Sequence, residues 1–173
     1  MRNVAVRGAE ARAISPVKVI GSNADVVVGV LDGVVLLLWR RRIVPEGVAW
    51  SREAFTHVGG AKQRGKIIFV TTLLPDCNLG TPADVRKDIA ALIKSHETQI
   101  TCAAIVFESA GFGMTIVRSV ITAITMASRT RFPNAVFGDV DAAMNWVASH
   151  AEDNDIPFAR ERILEAVGYL RTL

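Results

Sequence analysis

The sequence predicts an α/β domain with a mixed, mostly parallel five-stranded sheet, an N-terminal β-hairpin and flanking helices. Three observations carry this. Two Val-rich runs flank Leu31-Asp32-Gly33, and Asp-Gly between such runs is a strong hairpin signal. Short β-branched runs then alternate with stretches whose apolar residues recur at helical spacing, the pattern of parallel crossover units. Half of the 173 residues are hydrophobic and 21% are charged, enough apolar material for a core without disulfides or metals.

The elements follow in order. Residues 1–22 show no clear period and read as an arm, with a short strand at Val17–Ile20. Strands are expected at Asp25–Val30 and Val34–Ile43. Pro45 suits a helix start, with Val48, Ala54, Phe55 and Val58 on one face and Gly59-Gly60 weakening its end. Lys66–Thr72 is a buried strand. Thr81 is placed to cap the next helix with Pro82 at its first position, and Val85, Ile89, Leu92 and Ile93 form its apolar face. Thr101–Phe107 is a strand, Phe112–Arg129 an apolar helix with one thin polar stripe, and Asn134–Phe137 a last strand. Asp139 caps a helix carrying Val140, Ala143, Met144 and Val147. After a polar break at 152–157, Phe158–Leu170 closes the chain as an amphipathic helix. The expected organisation is an arm (1–22), the α/β domain (23–150) and a C-terminal helix (151–173) packed on its own domain or on a second copy.

Composition narrows the function classes. Lys+Arg exceed Asp+Glu by only three, 20 against 17, which is too small a surplus to mark a nucleic-acid footprint. No unbroken apolar run exceeds the six residues of Val34–Trp39, too short to span a membrane. Cys77 and Cys102 lack any CxxC context, and His57, His96 and His150 share no helical turn, so neither a zinc site nor another metal or cofactor is expected. Two isolated thiols and no apolar leader lead us to expect a reducing cytoplasm.

Phe137-Gly138-Asp139-Val140-Asp141-Ala142-Ala143-Met144-Asn145-Trp146-Val147, at the end of this element order, resembles the closing pattern of the STAS fold. It is especially similar to the SpoIIAA-like group of anti-sigma-factor antagonists. The resemblance covers about residues 24–150. It implies a non-enzymatic regulatory module that binds a protein partner. Lipid-binding carriers share the same sheet-and-helix plan, so a small apolar ligand under the Phe112–Met126 helix is the alternative. STAS antagonists carry a phosphorylatable Ser or Thr after the third strand. Here the third expected strand leads into Leu73–Gly80, which has neither. A similar string, Glu108-Ser109-Ala110-Gly111-Phe112-Gly113, follows the fourth. The family's switch therefore does not carry over by position.

The candidate site is the rim where strands end, the usual ligand position in open α/β sheets. It comprises Glu108, Ser109, Gly111 and Gly113 on one turn and Asp76 and Cys77 in the Leu73–Gly80 loop. Ser109 reads as a regulatory or anion-contacting residue, or simply as a helix cap. The leucines of the 73–80 loop either form a partner surface or fold back onto the core. Cys77 would be reactive only beside a cation. Arg40, Arg41 and Arg42 form a basic patch, which could dock an acidic partner or guard a sheet edge against unwanted pairing. A second alternative is a serine hydrolase, with Ser109, Asp139 or Asp141, and His150 in the order of a triad. Position 107, however, is Phe rather than the Gly that such an elbow needs.

Overall fold

The computed structural model describes residues 17–60, 65–108 and 130–173. They build a six-stranded sheet whose spatial order equals its chain order: β1 (Lys18–Ser22), β2 (Val26–Leu31), β3 (Val34–Trp39), β4 (Ile67–Leu73), β5 (Ile100–Phe107) and β6 (Asn134–Phe137). β1, β2 and β3 are antiparallel neighbours, and β3 to β6 are mutually parallel. The hairpin turns at Asp32 (φ 49°) and Gly33 (φ 84°). Two consecutive positive φ values suit the tight turn that Asp-Gly favours. It sets Leu31 opposite Val34 and Val26 opposite Trp39.

Four helices flank the sheet among the described residues: α1 (Pro45–Gly60), α2 (Ala83–Ser95), α3 (Val140–Asp153) and α4 (Arg160–Thr172). The strand period of two sorts the side chains. Val26, Val28, Val35, Leu37, Ile67 and Phe69 face α1 and α2. Val27, Leu36, Leu38, Ile68, Val70 and Cys102 face α3 and α4. β2 and β3 are buried on both faces, which is why they read as continuous apolar runs rather than alternating ones. No described helix is long and apolar enough to cross a membrane.

Several expectations change. The sheet has six strands, not five, because the end of the expected arm pairs with β2 as β1. β3 stops at Trp39 instead of running to Ile43, because the amides of Arg40 and Arg41 both turn back to the Asp25 carbonyl (2.7 and 3.4 Å). Thr81 does not cap α2. Its hydroxyl donates to the Leu79 carbonyl (3.1 Å), and Pro82 takes the cap position. Asp139 does cap α3, its carboxylate accepting from the Ala142 amide at 2.7 Å. The closing helix begins at Arg160 and packs on its own sheet through Ile163, Ala166, Val167 and Leu170. The Phe112–Arg129 helix lies outside the described residues.

Candidate functional site

Because β3, β4, β5 and β6 run the same way, their carboxyl ends meet at one rim. The ladder continues past the strands there: the Leu74 amide donates to the Trp39 carbonyl (3.0 Å), and the Glu108 amide to the Leu73 carbonyl (3.2 Å). The loop after β4 is fastened to the arginine segment. Asn78 forms an isolated bridge with Arg42, and its amide reaches the Arg41 carbonyl at 2.8 Å. The Cys77 amide closes a turn onto the Leu74 carbonyl, and the Asn78 side chain accepts from the Gly80 amide. The backbone of this loop is therefore held by bonds within the chain.

The three arginines have three different roles. Arg40 donates to the carbonyls of Asn23 and Leu170, both at 2.8 Å, so one guanidinium ties the β1–β2 turn to the last turn of α4. A cation there also suits the negative end of the helix. Arg42 makes a two-pronged pair with Asp25, at 3.1 and 2.7 Å. That hydrogen bond, with the charges of Arg42 and Arg41, holds the Asp25 carboxyl below the usual carboxylate range against a smaller opposing effect of burial. Arg41 is exposed and has no side-chain hydrogen bond or ion pair among the described residues. Guarding a sheet edge explains none of them, since β3 lies between β2 and β4.

The loop leucines turn inward. Leu73, Leu79 and Cys77 pack in the core under α1 and α2, and Leu74 packs on the α3–α4 side. An exposed leucine surface is thus absent from this loop, because these side chains fill the gap between strand end and helix start. Pro75, Asp76, Asn78 and Gly80 are what it exposes. Burial, with a smaller contribution from the Asp25 charge, pushes the Cys77 thiol up to about 11, the opposite of an activated nucleophile. Cys102, in the sheet, is pushed by burial to about 12, and both cysteines are free.

Glu108 sits at the rim, but Arg171 of α4 holds it through both carboxylate oxygens. Ser109, Gly111 and Gly113 lie outside the described residues. The acid and imidazole of the expected triad are far apart: Asp139 caps the first turn of α3 and His150 lies in its last turn, a rise of about 16 Å. Asp141 is engaged by Arg160 at 2.6 Å, and the His150 ring packs on Trp146. Between the sheet and α4, Leu36, Val70, Val167 and Leu170 line a cavity of only about 10 Å³. The space expected under the Phe112–Met126 helix lies outside the described residues.

Sequence reasoning missed Asn23, Asp25 and Arg171. Asn23 had a local signal, since an Asn before a strand can accept from the amides that follow; here it takes those of Asp25 and Val26, both at 2.9 Å. Asp25 and Arg171 had none, because their partners are distant in the chain. The chain matches no protein-family model, no curated protein and no solved structure.

With β1 counted, the Glu108–Gly113 string follows the fifth strand. It lies still further from the position at which STAS antagonists carry their switch.

Proposed function

We propose that the protein is a non-enzymatic, STAS-like regulatory module that binds a protein partner through the rim at the carboxyl ends of its parallel strands. One observation carries this reading. The loop after β4 is stitched by backbone bonds to the Arg40–Arg42 segment and presents Arg41, Pro75, Asp76 and Asn78 on a preformed surface. A preorganised surface loses little conformational entropy on association, which favours recognition of a folded partner. Arg41 and Asp76 supply charges of both signs, which would set orientation and selectivity more than raw affinity. On sequence grounds alone, Ser109, next to Glu108, is the regulatory position of this reading. The setting is a reducing cytoplasm, in which the two buried thiols stay free.

The test is affinity capture with the full chain and two variants. Arg41→Glu combined with Asp76→Lys reverses both rim charges. Arg52→Glu, on the exposed side of α1, is the control. A polypeptide retained by the wild type and by Arg52→Glu, and lost from the rim variant, is the expected result. Equal capture by all three proteins would remove the rim from the proposal.

A further inference from the structure

The two edges of the sheet are not alike. At β1 the ladder to β2 is broken by a bulge between Val19 and Gly21, Lys18 is exposed, and Trp50 lies against Gly21. A bulge and an edge lysine are common ways of blocking strand addition. β6, the last strand at the other side among the described residues, has neither. Asn134-Ala135-Val136-Phe137 carries no charge, pairs with β5 without a bulge, and is exposed at Asn134 and half-buried thereafter.

Backbone alternation decides which groups that edge offers. The Ala103 amide donates to the Pro133 carbonyl, so residues 133, 135 and 137 turn their backbone groups toward β5. Asn134 and Val136 then turn both N–H and C=O outward. We propose that β6 pairs antiparallel with β6 of a second copy of this chain, about a two-fold axis at Ala135, joining the two sheets edge to edge. Outward groups must meet outward groups, so Asn134 stands opposite Val136 of the other copy, each exchanging both of its bonds. Ala135 then faces Ala135 as a non-hydrogen-bonded pair. The backbones are closest there, with Cα atoms about 4.5 Å apart, and a small side chain fits.

Charge selects the same arrangement. Arg131 and Asp139, in the bends on either side of β6, are equally spaced about the axis, so each comes to the same end of the paired strands as the other residue of the second copy. The Arg131 side chain is 84% exposed, and its contact to Glu97 is loose, at 3.9 Å. Asp139 is exposed as well. Parallel pairing would set arginine against arginine and aspartate against aspartate. A two-fold axis normal to the sheet also keeps like faces together, so the α3 helices, which lie over β5 and β6, would approach each other. Trp146 on α3, packed on Phe137 of β6 at 5.6 Å, is half-buried and adds apolar surface near that contact. Such an interface is isologous and uses up both β6 edges, so it stops at two copies.

Sedimentation equilibrium or light scattering on the full chain tests this. The wild type should have twice the 18.7 kDa chain mass. Val136→Pro deletes an outward N–H and no internal ladder bond, and should give a folded monomer by circular dichroism. Arg131→Glu and Asp139→Lys should each be monomeric alone, and mixing them should restore a heterodimer. If Val136→Pro unfolds, the charge-reversal pair decides. A wild type that is monomeric at every concentration overturns the proposal. So does a dimer that survives these changes, or a mixture that fails to reassociate.

Discussion

The two faces of the sheet are closed in different ways. On the α1–α2 side, large rings meet glycines and one another. Trp39 lies on Gly47 of α1, Trp50 on Gly21 of β1, and Phe55 packs edge-on against Phe69 at 5.0 Å. On the α3–α4 side the fully buried contacts are aliphatic, with one ring pair, Phe137 and Trp146, at the β6 edge; Leu170 seats over Gly29, and two arginines fasten the end of α4: Arg40 at the Leu170 carbonyl and Arg171 at Glu108. Connectivity explains the contrast. α1 and α2 each link two parallel strands, so both of their ends are fixed covalently onto one face. α4 joins no two strands among the described residues, and its last turn is held by side-chain contacts. Arg40 and Arg171 make those contacts.

The contrast can be broken from either side. The largest effect is expected at the centre of the ring-packed face. Phe55 is fully buried, so Phe55→Ala should lower global stability by about 3–5 kcal/mol, read from denaturant midpoints. A loss under ~1 kcal/mol would mean that this face can collapse around the hole. On the other face, Arg40→Ala removes a charged donor from two carbonyls. It should cost about 1.5–3 kcal/mol. Hydrogen exchange should quicken chiefly in the last turn of α4, and uniform acceleration would show that α4 is not separately fastened. Gly47→Ala tests the ring–glycine contact. A Cβ there would lie 2.3 Å from the Trp39 ring. Alanine gains up to ~1 kcal/mol in helix propensity, whereas overpacking typically costs about 1–3 kcal/mol. The clash should win, giving a modest net loss; a more stable variant would show that Trp39 moves aside freely.

The smallest effect is electrostatic. Arg42 lowers the Asp25 carboxyl pKa in the folded state. A depressed carboxylate contributes stability that is fully present above its unfolded pKa and is lost as pH falls through the folded value. Asp25→Asn should therefore flatten the acid limb of the stability curve below about pH 4. It should leave the slope near neutrality unchanged, and an acid limb identical to wild type would mean that the pair does not form in solution.

Legibility in the sequence followed the range of the interaction. Asp32-Gly33 located the hairpin, and Asp139 located the start of α3, because turns and caps are made by residues close in the chain. Lys18–Ser22 was legible only as a fragment, since a five-residue edge strand has little periodicity until β2 lies beside it. Thr81 misled for a related reason: its hydroxyl, rather than accepting from an amide of the first turn, donates to the Leu79 carbonyl. At the rim, the sequence placed the 73–80 loop after a strand end, as found, but left open what its leucines and the arginines do. The leucines of the 73–80 loop belong to the two cores, and the arginines diverge into a helix clasp, an ion pair and one exposed charge.

By itself the sequence determined the α/β class, the place of the hairpin turn, the order of the described elements from β2 onward and which of their helix faces are apolar. Each depends on periodicity or on contacts a few residues apart. The tertiary structure alone decided the sixth strand, the docking of α4 on its own sheet, and the pairings of Arg40 with Leu170, Arg42 with Asp25 and Arg171 with Glu108. Those contacts join residues 17, 63 and 130 positions apart. No local pattern encodes such a distance; it is set only when both partners are brought to the same end of the folded sheet.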